Sequence, residues 1–164
     1  MTWRHREEKK RKMKHQRLMG VCLLLILTTV LTACSAAPAG PQIKIEDAWG
    51  RPSTQMMMNG AFYMNLKNSG GAADKLTGAT SSACGVVELH ETYKTPEGAM
   101  GMRPVPGGFI EVPAGGAVEL KPGGMHVMCI DKKEAFAPGS KVPLTLKFET
   151  SGEIKLDVDI RQPE

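Results

Sequence analysis

Two histidines carry the chemistry of this 164-residue chain, because each stands in a segment that also bears methionine. His90 precedes a stretch containing Met100 and Met102, and His126 opens the triplet His126-Val127-Met128. The other histidines, His5 and His15, lie in a basic N-terminal stretch. Imidazole with thioether favours a soft ion such as Cu(I), whereas Mg²⁺ and Ca²⁺ take oxygen donors. His90, Met102, His126 and Met128 together offer a low-coordinate or tetrahedral site without an anionic ligand. Neutral soft donors of this kind stabilise Cu(I) over Cu(II).

Each residue also has an ordinary alternative. A methionine in a β-domain is usually a flexible core filler, and a solitary histidine more often makes a hydrogen bond than binds a metal. The pairing of both histidines with flanking methionines weighs against that reading. Met100 competes with Met102 for one ligand position, and Gly98-Ala99-Met100-Gly101-Met102 reads as a Gly-rich loop folding over the ion. Met56, Met57 and Met58 read either as an adaptable hydrophobic loop or as an auxiliary copper contact. On a strand they would alternate faces, so at most two would point the same way. Met125 is expected to pack inward with Val127.

The elements that position these residues are short and alternating. Candidate strands are Ile43–Trp49, Ala61–Lys67, Leu76–Thr80, Val86–Thr92, Phe109–Val112, Ala117–Leu120, Met125–Ile130, Val142–Glu149 and Ile154–Ile160. Gly/Pro punctuation separates them, as in Pro106-Gly107-Gly108, Pro113-Ala114-Gly115-Gly116 and Lys121-Pro122-Gly123-Gly124. Many short strands with turn signals at this spacing predict an all-β antiparallel sandwich or barrel. The last two strands should form a hairpin around Ser151-Gly152. Parity places Val87 and Leu89 on one face and Glu88 and His90 on the other, with His126 and Met128 sharing a face.

The N-terminal segment reads as a targeting signal. Eight of the 21 Lys/Arg but only two of the 17 Asp/Glu fall within residues 1–33. The apolar run Leu18 to Leu31 is shorter than the ~20 residues that span a bilayer and suits a signal sequence. Leu31-Thr32-Ala33-Cys34 resembles a bacterial lipobox, with cleavage before Cys34 and lipidation of its sulfur; an uncleaved anchor helix is the alternative. Residues 34–41 then form a lipidated tether and residues 42–164 the copper-binding domain, placed outside the cytoplasm on a membrane of the cell envelope. That remainder holds 13 basic and 15 acidic residues, a net charge of about −2, so no nucleic-acid surface is expected. Cys84 and Cys129 remain after cleavage. They form a disulfide or stay as two thiols near the metal, because the parity of regular strands puts Cys84 on the face of His90 and Cys129 opposite Met128.

Val87-Glu88-Leu89-His90-Glu91, Met102-Arg103-Pro104-Val105, Leu120-Lys121-Pro122-Gly123-Gly124 and His126-Val127-Met128 resemble the periplasmic copper chaperone family PCu(A)C. Ala48-Trp49-Gly50-Arg51-Pro52 and Ala61-Phe62-Tyr63-Met64 extend the resemblance across most of residues 42–160. The family pattern runs His-Met, ten residues, Met, twenty-one residues, His-x-Met. In this chain Glu91 stands in place of the methionine after His90, and twenty-three residues separate Met102 from His126. The resemblance implies a cupredoxin-like Greek-key β-sandwich that carries Cu(I) to a partner, chiefly the CuA-bearing subunit of cytochrome c oxidase. Two other functions compete. A blue-copper electron carrier would need a cysteine thiolate with two histidines, and a lipoprotein module would bind another solute or protein. An enzyme is not expected: two histidines provide no evident Ser-His-Asp arrangement, and the Gly-Gly pairs are turn residues, not a phosphate loop.

Overall fold

The C-terminal hairpin shows how alternation sets the fold. In β9 (Lys141–Phe148) Val142, Leu144, Leu146 and Phe148 are buried, while Lys141, Pro143 and Lys147 face solvent. β9 pairs antiparallel with β10 (Gly152–Ile160), from Phe148 opposite Gly152 to Lys141 opposite Asp159. Val158 and Ile160 continue the inward row. Burying each such side chain contributes about 1.5–3 kcal/mol.

The computed structural model describes residues 39–162. The leader (1–33) and the lipidation site Cys34 lie outside the described residues. The other strands are β1 (Ile43–Gly50), β2 (Gly60–Asn68), β3 (Asp74–Thr80), β4 (Cys84–Lys94), β5 (Met100–Pro104), β6 (Ile110–Val112), β7 (Ala117–Leu120) and β8 (Met125–Lys132). Among the described residues the ladder runs β5-β4-β8-β2-β1-β10-β9-β3-β6, with β7 also on β2. One core joins the two halves of this order, through Phe62 and Leu66 of β2, Val127 of β8, Leu76 of β3 and Leu144 and Leu146 of β9.

Two features depart from the sequence expectation, and a third resolves what it left open. The sheet is mixed, since Trp49 and Gly50 of β1 pair in parallel with Asp159 and Ile160 of β10. A bulge between Glu46 and Trp49, with Asp47 at φ 50°, redirects the end of β1 toward that partner.

The second departure is β5, which forms a strand where the glycines suggested a loop. It pairs with β4 from His90 opposite Pro104 to Lys94 opposite Met100. The Tyr93 ring covers Gly101, where an added Cβ would stand 2.8 Å from the ring. Arg103 lies over the same ring at 4.7 Å, and its guanidinium pairs with Glu91 across the two strands at 2.8 Å. An aromatic ring over a strand glycine replaces the packing the glycine lacks.

The third is the cysteine pair, which the sequence left open. Cys84 and Cys129 are joined in a disulfide. Strand parity argued against the bond only for regular strands. Gly85 and Asp131 drop out of the β4–β8 register between Cys84–Lys132 and Val86–Ile130, and Asp131 has φ 54°. The register is the same on both sides of this gap, yet Cys84 departs from the alternation of the strand and is buried on the core side with Cys129.

Asp74 fixes the far end of the molecule. It is 2% exposed, and its carboxylate accepts the backbone N–H of Lys75, Thr150 and Ser151 at 2.8–2.9 Å. Burial alone would raise its pKa, but the donors of Ser151, Thr150 and Lys75 hold it below the ordinary 3.8.

Two stability outcomes follow from these contacts. Closing a loop with a sequence separation of 45 residues stabilises by about 4 kcal/mol in the chain-entropy picture. Cys84→Ser with Cys129→Ser should lower denaturant stability by about that amount, and an unchanged midpoint would refute a structural bond. For Asp74 the folded pKa lies below the unfolded one, so its contribution is present above pH 3.8 and lost as pH falls through the lower folded value. Asp74→Asn should cost about 2 kcal/mol at neutral pH and remove that acid-dependent loss, as read by urea unfolding between pH 7 and pH 2.

Candidate metal centre

The β4–β8 ladder sets the site. His90 stands directly opposite His126, and Glu88 directly opposite Met128, so all four project from one face. The opposite face carries Leu89 and Val127 into the core. On the other side of β4, Thr92 is paired with Met102. Met102 therefore projects from the same face as His90, two pairs along the ladder.

His126 is positioned by the turn that precedes β8. Lys121 to Gly124 close this turn with a Gly124 N–H to Lys121 carbonyl bond of 3.0 Å, and Gly123 takes φ 75°, a conformation suited to glycine. The Gly124 carbonyl accepts the Thr92 N–H at 3.2 Å, the Thr92 hydroxyl at 3.3 Å and His126 Nδ1 at 3.1 Å. One oxygen thus ties β4, the turn and the imidazole together. With Nδ1–H donating, the lone pair of His126 is on Nε2. His126 is 3% exposed; burial lowers its pKa below 6.5, the nearby His90 adds to this, and the Gly124 bond opposes it. The ring is neutral at neutral pH, the form that binds metal.

His90 is held differently. Its Nε2 lies 2.8 Å from Glu88 Oε2, while Nδ1 is buried without a hydrogen-bond partner. A carboxylate on one ring nitrogen and an open lone pair on the other is the arrangement of a metal-binding histidine with an orienting acid. The two imidazole centroids are 6.0 Å apart, and Tyr63 stacks beyond His126 at 6.1 Å with Trp49 4.6 Å further on. Burial raises the Tyr63 pKa, opposed by Arg51.

An open cavity of about 610 Å³ lies over this face. His126, Met102 and Met128 line it together with Met57 and Tyr63. His90 is not among its lining residues but stands beside His126. Met100 lies on the same face of β5, is 65% exposed and is absent from the lining, as are Met56 and Met58. Among the described residues no Asp or Glu lines the cavity, which disfavours a hard cation and suits a soft one. No group of three or more His, Cys, Asp or Glu side chains able to hold a metal exists among the described residues. The thioether residues Met57, Met102 and Met128 line the same wall as His126.

The structure adds residues that the sequence reading did not single out. Glu88 was placed on the His90 face by parity but given no role. Thr92 and the Gly124 carbonyl carried no signal, because their effect depends on strand pairing. Glu91, which stands at the family's accessory methionine position, points away from His90 toward Arg103. The disulfide leaves neither Cys84 nor Cys129 as a thiolate, so these residues cannot supply a blue-copper ligand.

Proteins of known structure share this fold. The chain is similar to the copper-bound PCuAC domain from PmoF2, with a TM-score of 0.60 and 26% identity over 76% of this chain and 99% of that one. It is also similar to the solution structure of CuI-DR1885 from Deinococcus radiodurans, with a TM-score of 0.53 and 27% identity over 79% and 85% of the two chains. The fold and these similarities define a cupredoxin-like β-sandwich of the PCuAC type. Residues 43–160 match the family described as "Putative lipoprotein LpqE-like". A relative from Leifsonia xyli subsp. xyli, named "Putative lipoprotein Lxx21020", is 31% identical over 157 residues, covering 90% of this chain and 92% of the relative. The chain belongs to the LpqE-like family.

Histidine-ring NMR of the metal-free chain should give His126 a protonation midpoint below 6.5. Because the folded value is the lower one, the contribution of neutral His126 is present above pH 6.5 and lost as pH falls through the folded midpoint. A midpoint at or above 6.5 would contradict the buried, neutral ring.

Proposed function

We propose that this protein is a copper chaperone that binds Cu(I) through His90, Met102, His126 and Met128 and passes it to an acceptor without catalytic turnover. The observation that carries this reading is a single open cavity with imidazole and thioether donors and no lining carboxylate. Similarity to a copper-bound PCuAC domain and to CuI-DR1885 supports copper as the cargo. His90 donates through Nδ1, which has no other partner, while Glu88 keeps the Nε2 proton. His126 donates through Nε2, opposite its bond to Gly124. Neutral ligands leave the cargo its single positive charge and favour the reduced ion. Met102 is 60% exposed, so a partner's ligand can replace it without opening the core.

The leader (1–33) directs export, Cys34 carries lipid, and residues 34–41 tether the domain of residues 42–164 to a membrane of the cell envelope. A relative named as a lipoprotein supports this assignment. From the family resemblance, the acceptor is the CuA-bearing subunit of cytochrome c oxidase.

Cu(I) titration against a competing chelator tests the site. His90→Ala, Met102→Ala, His126→Ala and Met128→Ala should each weaken binding by about 10–100-fold, and X-ray absorption should give a mixed nitrogen and sulfur shell. Unchanged affinity in all four variants, or an all-oxygen shell, would overturn the assignment.

A further inference from the structure

We propose that Met57 is a third thioether donor of the same cavity, an exchange ligand that takes Cu(I) from Met102 during loading and release. The inference rests on the copper reading above and concerns a residue outside its four-ligand set. Met57 lines the cavity beside Met102, His126 and Met128. It also lines the adjoining apolar groove with Pro52 and Phe136, so it stands where the cavity and the groove meet. More than half of its surface is exposed.

The loop that carries Met57 is fixed, and fixed to the strand that carries His126 and Met128. The Met57 N–H bonds to the Thr54 carbonyl at 3.1 Å, and the Lys132 N–H at the end of β8 bonds to the Met58 carbonyl at 2.8 Å. Lys132 is 4% exposed, and its ammonium donates to the carbonyls of Thr54 at 3.0 Å and Glu134 at 2.8 Å and lies over the Phe136 ring at 5.2 Å. Ser53 pairs with Phe136 on the other side of the loop. Burying an ammonium without a carboxylate partner is costly unless its hydrogen bonds are satisfied. Here the carbonyl of Thr54 at the start of the methionine loop is one of those acceptors. Met56 and Met58 share the loop but do not line the cavity.

The exchange is a simple substitution. A dative bond from Met57 sulfur to Cu(I) forms as the bond from Met102 sulfur breaks, with no electron or proton transferred and no change of charge. Two thioethers on separate segments, one on β5 and one on the loop, let the ion move toward the mouth without passing through a bare state.

Methionine-methyl NMR of the full chain tests this, with anaerobic addition of Cu(I) as its acetonitrile complex and the Met57 methyl assigned from Met57→Leu. The expected result is a shift of the Met57 methyl together with those of Met102 and Met128. Met57→Leu, an apolar side chain without sulfur, should slow Cu(I) transfer to a chelator about tenfold while the Met102 and Met128 shifts persist. If those two methyls shift and the Met57 methyl does not, the exchange role is refuted and the four-ligand site stands. If no methionine methyl responds to Cu(I), both readings fail.

Discussion

The pairing of β4 with β8 is the constraint on which the rest depends. It puts His90 against His126 and Glu88 against Met128 on one face, and Leu89 against Val127 on the other. A slip of one residue would exchange the faces, sending the imidazoles into the core and the aliphatic pair into the cavity. The register is secured at both ends. The Cys84–Cys129 bond crosses it at one end, and at the other the Gly124 carbonyl gathers donors from Thr92 and His126. The juxtaposition of the two imidazoles is thus a by-product of correct strand pairing.

Much of this was legible in the sequence, and the exceptions have physical causes. Alternation gave the faces of Val87 to His90, of His126 and Met128, and of the β9–β10 hairpin, because a sheet with one buried face must alternate. It could not locate β5, where Met100, Gly101 and Met102 show no inward apolar row. That strand is held instead by Tyr93 over Gly101 and by Glu91 with Arg103, contacts between residues about ten positions apart. Parity also left the cysteine pair open, since the departure of Cys84 from alternation, beside Asp131 at φ 54°, has no signal in the local sequence. The parallel contact of β1 with β10 joins the two ends of the domain and has no local signature at all.

The site combines two ways of controlling a histidine. His126 is buried, kept neutral by desolvation and oriented by a carbonyl. His90 has a carboxylate neighbour instead, and its other nitrogen is a buried polar atom left without a partner. Glu91 illustrates how position decides role: adjacent to a ligand candidate in sequence, it faces the other side of the sheet and clamps β5. A methionine there would give up that clamp.

β5 is the terminal strand of the ladder and is paired only with β4 among the described residues. Elements of this kind open locally at a small fraction of the global unfolding free energy. The backbone under Met102 can therefore fray while the disulfide-crossed pair beneath the histidines stays closed. The two walls of the cavity then belong to different foldons, one of which opens at the sheet edge without disturbing the other.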